Sequence, residues 1–275
     1  MTTVAALLRS THPGPSVAVT VIAVVLGVGV GLDAPRLVLL GFAVLAQQFS
    51  VGLSNDWIDA ARDREAGRTD KPIAAGVVSV GLARTVSLVL AVLAIALTLP
   101  LGPAATAAHL GFMGAGWAYN AGIKSTPFSV AAYVVGFGLL PFVVTLALPT
   151  PALPAAWAVV AAALLGVSAH FANALPDLED DRRHGIRSTP QLVGVQVSVA
   201  LIALALVAGA AFVVVGSGAF DVLRLVGLGL VVVVAGMCWW LGASRPPTRL
   251  LFRLIMAAAL VIVALLAVSG RQLIA

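Results

Sequence analysis

Long, continuously apolar stretches recur along the whole chain. They lie at residues 16–32, 37–54, 82–99, 103–120, 129–148, 155–174, 192–215, 221–242 and 250–269. Each is close to the ~20 residues that a helix needs to cross a bilayer, and none alternates as a barrel strand would. Short proline breaks at 100–103 and 149–151 leave eight or nine spans possible. We predict an all-α membrane helix bundle that forms one domain over residues 1–275.

The charge content supports a membrane protein and fixes its orientation. Only 10% of the residues are charged, whereas a soluble domain carries roughly a quarter. With nine spans and a cytoplasmic N-terminus, thirteen of the sixteen Lys and Arg residues face the cytoplasm, as the positive-inside rule requires. The basic pI near 10.3 therefore reflects topology, and nucleic acid is not an expected partner. We expect a multi-pass protein of a prokaryotic-type cell membrane.

The acidic residues are concentrated in two short segments that resemble each other. Nine of the eleven Asp and Glu residues lie within 55–72 and 173–190. Superimposed without gaps, the segments pair Asn55, Asp59, Asp63, Arg64, Gly67 and Pro72 with Asn173, Asp177, Asp181, Arg182, Gly185 and Pro190. Clustered carboxylates repel one another unless cations offset their charge. The repeat therefore predicts a duplicated cation-binding device on the cytoplasmic side.

In each segment the polar side chains recur about one helical turn apart. The sets are Asn55, Asp59 and Asp63, and Asn173, Asp177 and Asp181. Such spacing puts each set on one face of a helix. An Asn with two carboxylates suits Mg²⁺, which takes its other ligands from water and phosphate. We expect two facing stripes that clamp a diphosphate through Mg²⁺, rather than ordinary solvated loop charges.

Three further residues are candidates for the same site. Lys124 lies in a loop whose sequence 122–127 repeats that of 185–190 with one conservative change, and it either contacts phosphate or only sets topology. Tyr119 lies shortly before it. His170 shares the helix face of the second acidic set, where it either lines a cavity or makes a structural hydrogen bond.

These motifs resemble those of a known family, the UbiA superfamily of intramembrane prenyltransferases. Asn55-Asp56-x-x-Asp59-x-x-x-Asp63 is similar to its first aspartate-rich motif, and Asp177-x-x-x-Asp181 resembles its second. The segment from Tyr119 to Lys124 is similar to its short tyrosine/lysine motif. The resemblance covers nine spans with motifs after the second, fourth and sixth. It implies a bundle around a central cavity that is capped by cytoplasmic loops and open laterally to lipid.

The resemblance also implies roles for individual residues. Two Mg²⁺ ions would be held around a prenyl diphosphate by Asn55, Asp59, Asp63, Asp177 and Asp181, with Asp180 as an extra candidate. The diphosphate would be contacted by Lys124, Arg64, Arg182 and Arg9. Tyr119, Asn173 and His170 complete the expected site. No protein partner is inferred.

The expected chemistry is electrophilic prenyl transfer to a lipophilic or aromatic acceptor. Breaking an allylic C–O bond leaves a carbocation and a diphosphate, so catalysis requires cations where the negative charge develops and an apolar cavity that excludes water. Quinone-precursor, menaquinone, chlorophyll and glyceryl ether branches of the family all remain open. A membrane terpene cyclase would use the same motifs without an acceptor. A cation transporter would place its acids near the bilayer midplane, and a CDP-alcohol phosphotransferase would carry a D-G-x-x-A-R element that this chain lacks.

Overall fold

A computed structural model describes residues 2–178, 185–244 and 249–275. Within these ranges the protein is all-α, as predicted, and its strand-like pairing is limited to one isolated β-bridge between Pro154 and Ile274. The longer helices are α2 (Pro13–Val30), α3 (Ala34–Ile58), α5 (Val80–Thr98), α6 (Pro103–Ala121), α7 (Ser129–Leu146), α8 (Ala156–Ala174), α9 (Thr189–Gly216), α10 (Val222–Ser244) and α11 (Arg249–Val268). Two short helices, α1 (Thr3–Ser10) and α4 (Ala60–Glu65), flank α2 and α3.

Seven of the described helices are long and apolar enough to cross a membrane. They are α2, α3, α5, α7, α8, α9 and α10. The expected count of nine spans is therefore not confirmed, although every predicted stretch contains a helix. Helix α6 carries Thr106, His109 and Asn120 along its length, and α11 begins at Arg249 with a second cation at Arg253. The polar residues lower the apolar content of α6, whereas the stretch Arg253–Val268 of α11 is apolar but shorter than the other spans.

Local sequence signals define where several helices begin. Asp33 precedes α3 and its carboxylate accepts a hydrogen bond from the backbone N–H of Arg36 at 2.9 Å. The hydroxyl of Ser79 accepts one from Leu82 at 3.1 Å at the start of α5. Side-chain caps of this kind satisfy N–H groups that have no partner inside the helix.

The helices form one closed bundle. Consecutive helices pack against each other along the chain, and α11 returns to contact α2 as well as α10. The main apolar core includes Leu40, Leu140, Leu206 and Ile262, which belong to α3, α7, α9 and α11. In a bilayer, such a bundle satisfies its backbone groups internally and exposes apolar side chains to lipid.

A second, smaller apolar cluster supports the segment that carries the first acidic set. Its members are Ala6, Leu53, Ala60, Ile73, Val78 and Ala83. They join α1, the α3–α4 segment, the following loop and the start of α5. Because Ile73 is fully buried in this cluster, the loop between α4 and α5 is packed against the bundle at the end where the acids lie.

Two glycines allow close backbone contacts near that end. A Cβ on Gly52 of α3 would lie 2.4 Å from the carbonyl oxygen of Thr11, in the turn between α1 and α2. A Cβ on Gly166 of α8 would lie 2.5 Å from the carbonyl oxygen of Tyr133 in α7. Side chains at these positions would force the backbones apart, so both contacts require glycine.

Candidate active site

The first acidic set lies where α3 passes into α4. Helix α3 ends at Ile58, Asp59 is the junction residue, and α4 begins at Ala60. The backbone N–H of Asp59 donates to Asn55 O at 3.1 Å, and that of Asp63 donates to Asp59 O at 2.8 Å. The helical four-residue repeat therefore continues through the junction, which keeps the three side chains on one side, as predicted. Asp59 and Asp63 are only 6% and 5% exposed.

Each of these buried carboxylates is paired with a cation. Lys124 Nζ lies 2.5 Å from Asp59 Oδ2 and 3.2 Å from Asn55 Oδ1. A guanidinium nitrogen of Arg62 lies 2.9 Å from the same Asp59 oxygen. Lys71 Nζ lies 2.8 Å from Asp63 Oδ2 and 3.2 Å from Asp56 Oδ1. These contacts offset the repulsion that the clustered acids would otherwise suffer.

The two lysines differ in how firmly they hold their protons. Burial pulls the pKa of Lys71 down, but the carboxylates of Asp56 and Asp63 outweigh it and raise the pKa above its ordinary value. Burial also acts on Lys124, and here it prevails over Asp59, so the pKa of Lys124 is lowered. Lys71 is thus a firmly charged partner of the acids, whereas Lys124 holds its charge less strongly.

Helix α6 is fixed against α3 so that its end faces the acidic set. The side-chain amide of Asn120 donates hydrogen bonds to Val51 O at 2.8 Å and to Ser54 Oγ at 2.7 Å. Gly122 follows with φ 150° and ends the helix. The short 3₁₀ turn Ile123–Ser125 then carries Lys124 to Asp59.

An aromatic cluster lies beside the acidic set. The rings of Tyr119 and Tyr133 meet edge to face at 5.2 Å between centroids. The His170 ring lies 5.9 Å from that of Tyr119 and 5.0 Å from that of Tyr133. Tyr133 also shares a side-chain hydrogen bond with Asn173. Helices α6, α7 and α8 therefore supply a second, largely aromatic group of residues to the same region.

One cavity of about 320 Å³ joins the acidic and aromatic groups. Seven of the residues predicted from the sequence line it: Asn55, Asp59, Asp63, Tyr119, Lys124, His170 and Asn173. Residues that are far apart in the chain thus meet at one end of the bundle. The cavity offers oxygen donors, ammonium and guanidinium groups, and aromatic surface together.

Two predicted arginines lie outside the cavity, and the remaining predicted side chains belong to the part of the chain that the structure does not describe. Arg64 is exposed and its Nε donates to Ala74 O at 3.4 Å, outside the cavity lining. Arg9 is exposed on α1 and does not line the cavity either. The side chain of Asp177 is not described, and Asp180, Asp181 and Arg182 lie outside the described residues.

The structure adds lining residues that were not predicted. They are His12, Arg62, Ala66, Arg68, Lys71, Ala174, Ile186 and Ser188. Of these, Arg62, Arg68 and Lys71 belong to the first acidic segment, so their presence in a charge-rich motif was a usable signal. His12 had no such signal.

His12 has an unusual backbone. It is the one non-glycine residue with positive φ in the described ranges, at 51°, a conformation that costs on the order of 1–3 kcal/mol. Its Nε2 lies 3.1 Å from Asp56 Oδ1. Ser16 Oγ donates to Thr11 O at 2.8 Å and holds the turn in place. The strained turn therefore places the imidazole of His12 at the cavity.

The first acidic set fits a hard divalent cation. The described residues contain no group of three His, Cys, Asp or Glu side chains already arranged around a metal position. However, the oxygens of Asn55 and Asp59 converge on one cationic group, the Lys124 ammonium. Amide and carboxylate oxygens are the ligands that Mg²⁺ accepts. The donor set is therefore suited to Mg²⁺, provided that Lys124 moves away from Asp59.

Comparison with known proteins identifies related sequences. The profile of the UbiA prenyltransferase family matches residues 16–255. Among curated proteins, the bacteriochlorophyll synthase 33 kDa chain of Cereibacter sphaeroides is 33% identical over 178 residues. That match covers 60% of this chain and 57% of the relative. The chain therefore matches little more than half the length of that relative.

Solved structures show the same fold. A UbiA homologue from Aeropyrum pernix K1 superposes with a TM-score of 0.73 at 20% identity, covering 90% of this chain and 97% of that one. A UbiA homologue from Archaeoglobus fulgidus bound to GPP and Mg²⁺ superposes with a TM-score of 0.72 at 17% identity, covering 96% and 99%. At these identities the likeness establishes the architecture.

Proposed function

The chain belongs to the UbiA prenyltransferase family, and on that premise we propose that it transfers an isoprenoid chain from a prenyl diphosphate to a lipophilic or aromatic acceptor, in a Mg²⁺-dependent reaction that releases diphosphate. It is a multi-pass membrane enzyme. The observation that carries the proposal is the single cavity in which Asn55, Asp59 and Asp63 face Lys71 and Lys124 at the end of an apolar bundle.

Binding of the donor would use both signs of charge in the cavity. Asn55, Asp59 and Asp63 would hold Mg²⁺, which supplies positive charge to the diphosphate when it is bound. The cations of the cavity, Arg62, Arg68, Lys71 and Lys124, are suited to contact phosphate oxygens, because charge-assisted hydrogen bonds to phosphate are short and strong. Asp177 and Asp181 remain proposed ligands of a second ion. The Archaeoglobus homologue, which binds GPP and Mg²⁺, supports this assignment.

Catalysis would follow from this distribution of charge. When the allylic C–O bond breaks, negative charge grows on the leaving diphosphate, and fixed cations stabilise it there. The apolar helices exclude water, which would otherwise quench the carbocation. The aromatic ring of Tyr119 lines the same cavity, where it can stabilise positive charge. We also propose that the cavity opens on the cytoplasmic side, since the predicted cytoplasmic loops carry most of the basic residues.

The test is diphosphate release from geranylgeranyl diphosphate by the purified protein in lipid vesicles, with a lipophilic or aromatic acceptor supplied. Wild-type protein should release diphosphate with Mg²⁺, and EDTA should abolish the release. Asp59→Asn should lower the rate by about 100-fold or more, because a charged ligand of the Mg²⁺ that would stabilise the leaving diphosphate is lost. Asp33→Asn is the matched control, since Asp33 caps the opposite end of the same helix and Asn is also a good cap.

Other outcomes separate the alternatives. Full activity of Asp59→Asn would contradict the proposed site. Release of diphosphate with formation of a cyclic hydrocarbon, in the absence of any acceptor, would identify a terpene cyclase. Failure to release diphosphate from donors of every chain length would contradict prenyl transfer altogether.

A further inference from the structure

His170 carries a ring nitrogen that has no hydrogen-bond partner within the protein. The residue lies on α8, is fully buried, and lines the cavity. Its Nε2 lies 3.0 Å from Ser129 Oγ, but its Nδ1 is buried without a partner. Buried polar atoms are almost always hydrogen-bonded, so an exception beside a cavity points to a ligand.

The ring cannot turn to satisfy Nδ1 by another route. It is enclosed by the rings of Tyr119, Tyr133 and Phe171, with centroids at 5.9, 5.0 and 5.5 Å. A flip of the ring would break the contact with Ser129. One turn earlier on α8, Gly166 holds the helix directly against the backbone of Tyr133. The position of the ring is therefore set by its surroundings.

A chain of hydrogen bonds determines which ring nitrogen carries the proton. The hydroxyl of Thr189 donates to Pro127 O at 2.7 Å, because a carbonyl can only accept. Thr189 Oγ1 also lies 3.0 Å from Ser129 Oγ, so Ser129 must be the donor in that contact. Because the Ser129 hydroxyl proton is donated to Thr189, it is not available to His170, so His170 Nε2–H must donate to Ser129 Oγ. In the neutral ring, Nδ1 is left with a free lone pair.

The opposite tautomer would leave two contacts unsatisfied. If Ser129 donated to Nε2, the Ser129 and Thr189 oxygens would face each other at 3.0 Å with no proton between them. In addition, a buried Nδ1–H of His170 would have no acceptor. Only the Nε2–H form gives every donor in the chain a partner.

From this arrangement we infer that His170 Nδ1 accepts the proton of an acceptor hydroxyl group, and that the acceptor reacts through that oxygen. The inference rests on the proposed prenyl transfer. The C1–O bond of the donor breaks and its electron pair leaves with diphosphate. A lone pair of the acceptor oxygen forms the new C–O bond, and the hydroxyl proton moves to Nδ1. The imidazolium returns this proton to solvent when the ether product leaves.

The lone pair at Nδ1 also selects against a carboxylate acceptor. An ionised carboxylate has no proton to give, and it would place negative charge against a lone pair. A hydroxyl donates directly to that lone pair. Among lipophilic acceptors, the structure therefore favours an alcohol, such as a glyceryl ether lipid with one free hydroxyl.

The kinetic test uses His170→Phe, which keeps an aromatic ring and removes both nitrogens. Ionisation of the donor is measured as positional isotope exchange in geranylgeranyl diphosphate labelled with ¹⁸O at the bridging oxygen. Transfer is measured as ether formation on a monoprenylglyceryl phosphate. We expect exchange within about twofold of wild type and at least 100-fold slower transfer, in the range of lost general-base catalysis. Added imidazole should partly restore transfer in His170→Ala.

His109→Phe is the matched control, measured per folded protein after size-exclusion chromatography. His109 is also buried, in α6, but its two nitrogens contact Thr98 and Gln47 and it does not line the cavity. It should retain transfer. Equal loss of exchange and transfer in His170→Phe, or full retention of both, would overturn the inference. The inference would also be overturned if the wild-type protein transferred the prenyl group to bacteriochlorophyllide, a carboxylate, and not to the alcohol.

A second measurement requires no acceptor. In protein labelled with ¹⁵N-histidine, the ring signals of His170 are assigned by their absence in His170→Phe. The neutral Nε2–H tautomer should be observed, and an Nδ1–H tautomer would overturn the inference while leaving the proposed function intact. Wild-type protein that shows neither isotope exchange nor transfer would instead remove the proposed function, and this inference with it.

Discussion

The acidic set of the cavity is held together by cations of the same chain. Asp59 contacts Lys124 and Arg62, and Asp63 contacts Lys71. Removing one partner of a buried ion pair costs more than the pair contributes, because the remaining charge stays buried. The lysines therefore hold the carboxylates in place before any substrate binds. This arrangement prepares the site for an anionic ligand that brings its own cation.

The two arginines of the first acidic segment should differ in function. Arg62 lines the cavity and contacts Asp59 at 2.9 Å, whereas the exposed Arg64 contacts a backbone carbonyl. Arg62→Ala should raise the KM for geranylgeranyl diphosphate roughly 10- to 150-fold, because a charged hydrogen bond to the donor contributes ~1.5–3 kcal/mol. Arg64→Ala should leave this KM unchanged. Steady-state kinetics of the two variants provide the measurement.

The outcome bears directly on the family resemblance. The resemblance implies a phosphate contact for Arg64, while the structure brings Arg62 to the cavity. A larger effect of Arg64→Ala than of Arg62→Ala would show that the α4 segment turns when the donor binds.

At the scale of single residues, the sequence predicted the acids better than their partners. Asn55, Asp59 and Asp63 could be placed on one face because the helical period is local and regular. Lys71 reaches Asp63 only because the α4–α5 loop folds back on Ile73. Contacts of this kind depend on tertiary packing, which no short-range pattern encodes.

At the scale of elements, long apolar helices were predictable and short ones were not. Each predicted stretch contains a helix because lipid leaves few alternatives to helical backbone. Helices α1 and α4 have only 8 and 6 residues, and isolated helices of that length are marginal. They form by packing on α3 and α5. These two elements position His12 and Asp63 at the cavity.

The contact between the α1–α2 turn and α3 should be sensitive to one methyl group. Gly52→Ala would place a Cβ 2.4 Å from Thr11 O, so the turn must shift. We expect a loss of about 1–3 kcal/mol in the free energy of unfolding, the usual cost of overpacking, and a higher KM for the donor as His12 moves. Thermal unfolding in detergent and donor kinetics provide the measurements.

Gly114→Ala is the matched control for this substitution. Gly114 lies within α6, and a Cβ there would meet nothing within 4 Å. Alanine at such a helical position should be neutral or stabilising by about 0.4–1 kcal/mol. Equal stability of the two variants would show that the α1–α2 turn does not pack directly against Gly52 of α3.

At the scale of the whole molecule, helix order puts the site loops on one side of the membrane. The loop after α4 and the turn after α6 both meet at the cavity, whereas the α7–α8 connection lies at the other end of the bundle. The positive-inside bias depends on composition alone, so orientation could be predicted without tertiary contacts. The lateral arrangement of the helices could not, since it follows from close packing at positions such as Gly166.

Orientation can be tested with single cysteines. Cys238, the only native cysteine, is buried, and Cys238→Ser gives a suitable background. Ala75→Cys marks the loop after α4, and Thr150→Cys marks the α7–α8 connection; both positions are exposed. If the cavity faces the cytoplasm, as we propose, a membrane-impermeant maleimide should label Thr150→Cys in intact cells and leave Ala75→Cys unlabelled. Disrupting the membrane should expose Ala75→Cys, and the reverse pattern in intact cells would place the diphosphate site on the outer face, where the enzyme would need an external supply of donor.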